Sequence, residues 1–276
     1  MKYILPFSLI SKKDKSRFGG KVASLGEMYQ AGIPVPNGFG VSIEAHKEFK
    51  HRPFSDEFKS ELHQAFKTLG AQRVAVRSSA IAEDAGDASW AGQLESYLNT
   101  EEEKLEEKVR LCWQSIDTSH AQDYARDKNI CEGDLLVGVA VQAMVDPDAA
   151  GVMFTVNPVS VDRKEIMIES AYGLGEMVVQ GAVTPDNFIV NRSKNEVTNF
   201  GISIKEKMMI YENGKNRIKA VPDDIEDRAT LRENQVLELA QLGMKIENLY
   251  KAPQDIEWAI KSGVFFVVQA RPITTL

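Results

Sequence analysis

The chain has 276 residues, 43% hydrophobic and 26% charged, with 33 Lys plus Arg against 40 Asp plus Glu and a formal net charge of −7. That length and balance support a real core, which excludes a disulfide-stapled miniprotein and long-range disorder. The acidic total argues against a dedicated nucleic-acid binder, and no uninterrupted apolar run is long enough to span a bilayer, so neither nucleic acid nor membrane is expected as a partner.

The start, Met1 to Ile10, faintly imitates a signal peptide, but Pro6 and Ser8 interrupt it and no A-x-A site follows, so it reads as a first strand. Lys21 to Gln30 reads as a helix after Phe18-Gly19-Gly20, stopped by Gly32 and two prolines, Pro34 and Pro36. Gly38 to Ser42 is a short strand. Ser55 is placed to cap a helix whose apolar positions are Phe58, Leu62, Ala65, Phe66 and Leu69. Val74-Ala75-Val76 reads as a buried strand that opens into a polar loop, Arg77 to Gln93. A further helix carries Leu105, Val109, Cys112, Trp113 and Ile116 on one face, after three glutamates in its first turn. Leu135 to Val145 is a continuous apolar strand. Gly151 to Val156, Glu165 to Ser170 and Asn187 to Asn191 read as strands, and Asn213-Gly214 marks a hairpin. A last amphipathic helix uses Val236, Leu239, Ala240, Ile246 and Leu249, and a closing hairpin joins Asp255–Ile260 to Val264–Ala270. The pattern predicts an α+β protein of two lobes, 1–130 and 131–276, with a ligand in the cleft between them.

Neither Cys112 nor Cys131 has metal-type spacing, and reduced thiols fit a cytoplasmic protein. His46 and His63 lie in helical patterns and read as solvated.

Five groups carry chemistry. Gly19-Gly20-Lys21 puts a cation at a helix start, where an anion is favoured; the spacing is not that of a P-loop. Arg77-Ser78-Ser79 offers a guanidinium fork and two hydroxyls to phosphate oxygens, before an acidic, glycine-containing loop (Ala82 to Gly92) able to close as a lid. Gln142 and Met144 end an apolar strand in a way that suits an adenine edge and face, with plain core packing as the competing reading. Gly173-Leu174-Gly175-Glu176 makes a tight turn whose carboxylate suits ribose hydroxyls or a cation, and it does not match a dinucleotide fingerprint. In the closing hairpin, alternation puts Asp255 and Glu257 on one face, and Gln269 and Arg271 share a face of the partner strand. If these faces coincide, Glu257 and Gln269 offer oxygens suited to Mg²⁺ and Arg271 offers charge to a phosphoryl group; the alternative is a structural Glu257–Arg271 pair.

In this order the five groups resemble the ATP-binding domain of the phosphoenolpyruvate synthase and pyruvate phosphate dikinase family, to which rifampicin phosphotransferase is also similar. The resemblance runs from about Phe18 to Arg271 and is most specific in Gly19 to Glu27, Val74 to Gln93, Ala150 to Pro158, Glu169 to Pro185 and Asp255 to Thr274; Ala75-Val76-Arg77-Ser78-Ser79-Ala80 and Asp87-Ala88-Ser89-Trp90-Ala91-Gly92-Gln93 look most like the phosphoenolpyruvate synthase branch. It implies an ATP-grasp-like fold with ATP held between the lobes. It implies that Lys21, Arg77 and Arg271 hold the phosphates, Glu257 and Gln269 ligate Mg²⁺, Gln142 and the backbone around Met144 meet adenine, and Glu176 sits near the ribose. It further implies transfer of the β-phosphoryl group of ATP, with AMP and phosphate released, to a histidine on a swivelling domain.

That domain and the acceptor domain are expected on a separate chain or subunit, as in enzymes resembling phenylphosphate synthase, or on the missing part of a longer protein. Thr118-Ser119-His120-Ala121 imitates the phosphohistidine signature without its preceding glycines and is read as a coincidence. A non-catalytic ATP-binding or regulatory module and a stand-alone small-molecule kinase remain as alternatives.

Overall fold

The computed structural model describes residues 3–81, 95–118 and 136–274. The expected lid at Ala82 to Gly92, the boundary near residues 129–134, His120 and Cys131 lie outside them.

The chain forms two compact units, one of residues 1–32 and 36–144, the other of residues 33–35 and 145–276. The first is built on strands β1 (Ile4–Pro6), β2 (Gly38–Val41), β3 (Val74–Ala80), β4 (Ser96–Thr100) and β5 (Val137–Ala143), ordered β1-β2-β5-β3-β4. Every pairing is antiparallel. Its helices are α1 (Lys15–Phe18), α2 (Gly20–Gln30), α3 (Ile43–Phe49), α4 (Asp56–Leu69) and α5 (Leu105–Gln114). Strand β5 is hydrogen-bonded between β2 and β3, so the first unit runs on to Met144 rather than ending at residue 130.

Alternation gives this sheet two covered faces. Val74, Val76, Val139 and Val141 point into a core with α3, α4 and α5, where Phe58, Leu62, Phe66, Val109 and Trp113 are buried. Ser55 caps α4 as the sequence predicts, its hydroxyl accepting from the amide of Phe58 at 3.2 Å. His46 is not solvated. It is buried, stacks on Trp113 at 5.5 Å between ring centres, and accepts the Val137 amide proton at Nδ1 (3.2 Å). An apolar helix face leaves room for a neutral imidazole, and burial, helped by Lys50, holds its pKa down to about 4.

The second unit is a six-stranded antiparallel sheet ordered β13-β12-β6-β7-β8-β9. Its strands are β6 (Ala149–Phe154), β7 (Glu165–Tyr172), β8 (Asp186–Asn191), β9 (Glu196–Gly201), β12 (Gln254–Lys261) and β13 (Val264–Pro272). A two-stranded ribbon, β10 (Lys207–Glu212) and β11 (Lys215–Ala220), turns at Asn213-Gly214, as its dipeptide predicts. Helix α6 (Glu176–Val179) is one turn long; α7 (Glu233–Tyr250) buries Val236, Leu239, Ala240 and Ile246. Pro34, from the short segment that belongs to this unit, accepts a hydrogen bond from the Val267 amide at 2.9 Å. No helix among the described residues is long and apolar enough to cross a membrane.

Candidate functional site

In the first unit the candidate groups gather on the face of the sheet that α2 covers. Gly19 has φ +83°, and a Cβ there would lie 2.0 Å from the Ser79 carbonyl oxygen, so only glycine lets α2 start this close to β3. Since Gly19 has no side chain to cap the helix, Ser79 does so from the strand: its Oγ accepts from the Val22 amide at 3.1 Å. Lys21 then lies over β3 and donates from Nζ to the Ser78 carbonyl at 2.8 Å.

Arg77, Ser78 and Ser79 do not begin a loop. They continue β3, which pairs with β5 as far as Ala80. The polar side chains are tolerated in a buried strand because the fold satisfies them. Ser78 turns to the α5 side, its Oγ within 3.2 Å of the Glu95 and Cys112 carbonyls and of Ser115 Oγ. Arg77 is 9% exposed and lies opposite Ala140 of β5. Gln142 lies opposite Ala75 and Gly38, hence on the same face, two residues or about 7 Å along β5. Gln142 is only 2% exposed, and its Nε2 finds no hydrogen-bond partner among the described residues. A buried unpaired donor costs about 1–3 kcal/mol. The Met144 amide donates to the Arg73 carbonyl at 3.0 Å.

In the second unit, register places the groups. Glu257 stands directly opposite Gln269, and Asp255 opposite Arg271. Simple alternation would put Phe265, Val267, Gln269 and Arg271 on a single face. A β-bulge between Glu257 and Trp258 absorbs Val268, so Phe265 and Val267 face the core with Ile260 and Trp258, while Gln269 and Arg271 join Glu257 and Asp255 on the other side. Arg271 is held by the residue that stands opposite it. Asp255 Oδ2 takes both Arg271 Nη2 (2.6 Å) and Nε (2.9 Å). Burial pushes the Asp255 carboxyl up, and the guanidinium offsets that only in part.

The same row extends across the sheet: Glu257 pairs with Val152, Val152 with Glu169 and Glu169 with Asn187. Glu169 stands in the run that leads to the Gly173 turn, and the sequence gives it no role of its own. Burial pushes its pKa up. The signal was present, a carboxylate inside the apolar run Ile166-Met167-Ile168-Glu169-Ser170-Ala171, but only the register shows which row it joins.

Val178 of α6 packs on Val152 and Ala171, so α6 covers this same face. Glu176, at its start, accepts from Gln180 Nε2 at 3.0 Å through Oε1. The opposite face is the apolar one, where Gly243 of α7 meets Met153. Glu257 and Gln269 supply hard oxygen donors side by side, the chemistry Mg²⁺ takes. Among the described residues no three His, Cys, Asp or Glu side chains are grouped to hold an ion, so a cation on this pair would rely on other oxygens as well.

The model of the pyruvate phosphate dikinase AMP/ATP-binding domain family matches residues 41–276. The chain belongs to this family. Arg77, Gln142, Glu176, Glu257, Gln269 and Arg271 fall inside the matched range, and Lys21 before it. Among named relatives of this dikinase-domain chain, a phosphoenolpyruvate synthase of Aeropyrum pernix is 38% identical over 98% of the chain and 42% of its own length. A probable phosphoenolpyruvate synthase of Methanocaldococcus jannaschii is 36% identical over 100% of the chain and 27% of its own length. A phosphotransferase of Bacillus subtilis, named as uncharacterized, is 39% identical over 94% and 33% respectively. The chain thus spans less than half the length of these relatives. Likeness to solved structures is slight. A D-alanine–D-alanine ligase of Bacillus anthracis complexed with ATP gives TM-score 0.35 and 8% identity over 90% of the chain and 54% of that structure. A truncated Cdc123 of Schizosaccharomyces pombe gives TM-score 0.43 and 10% identity over 90% and 82%.

Proposed function

We propose that this chain binds ATP with Mg²⁺ in an ATP-grasp-like manner and passes the β-phosphoryl group to a histidine on a separate swivelling domain or subunit. The net change takes ATP, water and histidine to phosphohistidine, AMP and phosphate. The observation that carries the reading is the row on the second sheet, in which Glu257 faces Gln269 beside the Asp255–Arg271 pair.

Lys21, Arg77 and Arg271 hold and neutralise the phosphates, the Arg side chains through paired N–H donors. Arg271 is aimed by Asp255, which fixes one edge of its guanidinium. Glu257 and Gln269 ligate Mg²⁺, which when bound withdraws charge from the phosphoryl oxygens. Gln142 supplies its unpaired Nε2 donor to an acceptor on the adenine edge. Glu176 takes the ribose hydroxyls. The chain acts in the cytoplasm, in keeping with the buried free thiol of Cys112, whose pKa burial pushes up to about 12.

The test mixes the chain with ATP, Mg²⁺ and swivelling-domain proteins of its relatives, and follows AMP release and phosphohistidine. Both products are expected, and Glu257→Ala should lower transfer on the order of 10³-fold while the protein stays folded. Neither product with any partner would overturn the reading in favour of an ATP-binding module. Steady turnover without a partner would replace it with a small-molecule kinase.

A further inference from the structure

Away from the phosphate-facing groups, the second unit buries a charged pair that the proposed chemistry does not use. Lys205 and Asp186 are both 0% exposed, and Lys205 Nζ donates to Asp186 Oδ1 at 2.6 Å. Isolated charges in such a place are costly, so both must be fully hydrogen-bonded to persist. Lys205 Nζ also reaches the Ser203 carbonyl at 2.6 Å and lies 5.7 Å from the centre of the Tyr172 ring. Asp186 Oδ1 accepts from the Ser203 amide (3.0 Å), and Oδ2 from the Thr230 amide and hydroxyl (both 2.8 Å). The Thr230 hydroxyl also meets Ser170 Oγ at 2.8 Å. The Tyr172 hydroxyl sits on the carbonyls of Ile225 and Arg228.

These contacts tie four stretches together: the end of β7, the start of β8, the approach to β10, and the segment before α7. Two of them lead directly to Glu176. Four residues after Lys205, the Met209 carbonyl accepts from the Leu174 amide at 2.9 Å. Met209 also pairs with Gly173, where a Cβ would lie 2.3 Å from the Met209 oxygen. On the other strand, Tyr172 immediately precedes that turn, which delivers Glu176 three residues beyond Gly173. The turn is therefore held between β7 and β10, and both are anchored on the same buried ammonium.

We propose that Lys205, through its buried contacts with Asp186 and Tyr172 and the strand β10 that follows it, is a positioning residue that fixes the Gly173–Glu176 turn and so aims Glu176 at the nucleotide. The inference rests on the assignment of Glu176 to the ribose, and the experiment separates the two.

ATP affinity is measured by calorimetry for the wild-type chain, Lys205→Met, Glu176→Gln and the double variant, and hydrogen exchange is followed at residues 173–179. Lys205→Met should speed exchange there at least tenfold while α4 stays protected. Lys205→Met and Glu176→Gln should each weaken ATP binding about tenfold, and the double variant should be no more than twofold worse than Glu176→Gln alone, because a misaimed side chain loses nothing further when removed. Unchanged exchange at 173–179, or losses that multiply in the double variant, would overturn the positioning role. Unchanged binding in Glu176→Gln would overturn the ribose assignment instead, leaving the exchange result to decide whether Lys205 fixes the turn. Should Lys205→Met fail to fold, Thr230→Val removes one hydroxyl from Asp186 and should show the same pattern at smaller amplitude.

Discussion

The five-stranded sheet of the first unit places its polar groups by pressing a helix onto a strand; the six-stranded sheet of the second places them by register. Lys21 reaches the Ser78 carbonyl only because Gly19 lets α2 begin against Ser79. Glu257, Gln269, Asp255 and Arg271 need no helix, only the pairing of β12 with β13 and one bulge. Close approach tolerates almost no added volume, whereas a register backed by a flexible core tolerates some.

The largest effect should come from breaking the first arrangement. Gly19→Ala combines a left-handed φ with a Cβ 2.0 Å from a carbonyl oxygen, and should cost about 4 kcal/mol as strain and overpacking add. Chemical denaturation would read this as a lower midpoint at an unchanged slope. Acid should come next, again in the first unit. His46 is held neutral, with a folded pKa of about 4 against 6.5 for the free side chain. Between those values the unfolded chain binds the extra proton, so stability falls as pH drops from about 6.5 towards 4, by up to about 3 kcal/mol. His46→Asn, which keeps an acceptor for the Val137 amide, should flatten that limb of the profile. The smallest effect is expected in the second unit. In Gly243→Ala the new Cβ meets the Met153 Cε at 2.7 Å, the far end of a flexible side chain. A gain in helix propensity of about 1 kcal/mol offsets the displacement, leaving the melting midpoint nearly unmoved. If Gly243→Ala proved as damaging as Gly19→Ala, the contrast between a rigid carbonyl neighbour and a flexible side-chain one would fail.

Much of this was legible in the sequence because it depends on local chemistry. Asn213-Gly214 makes its hairpin, Ser55 caps its helix, and Glu257, Gln269 and Arg271 share a face. What escaped depends on partners distant in the chain. Arg77 to Ser79 read as a loop because their polarity hides a strand whose hydroxyls are satisfied by α2 and α5. Arg271 meets Asp255 because the register sets them directly opposite, which spacing along the chain does not show. His46 read as solvated because Trp113 and Val137 come to it from 67 and 91 positions away. Glu169 joins the row of Glu257 across Val152, which no spacing along the chain reveals.

The central claim is that the opposed Glu257–Gln269 pair makes nucleotide binding depend on a divalent cation. Titration calorimetry of ATP into the wild-type chain and Glu257→Gln, each with and without Mg²⁺, tests it most directly. Mg²⁺ should tighten wild-type binding by about tenfold or more, and Glu257→Gln should lose that gain while remaining folded. Equal wild-type affinity with and without Mg²⁺, or a full Mg²⁺ gain in Glu257→Gln, would contradict the account.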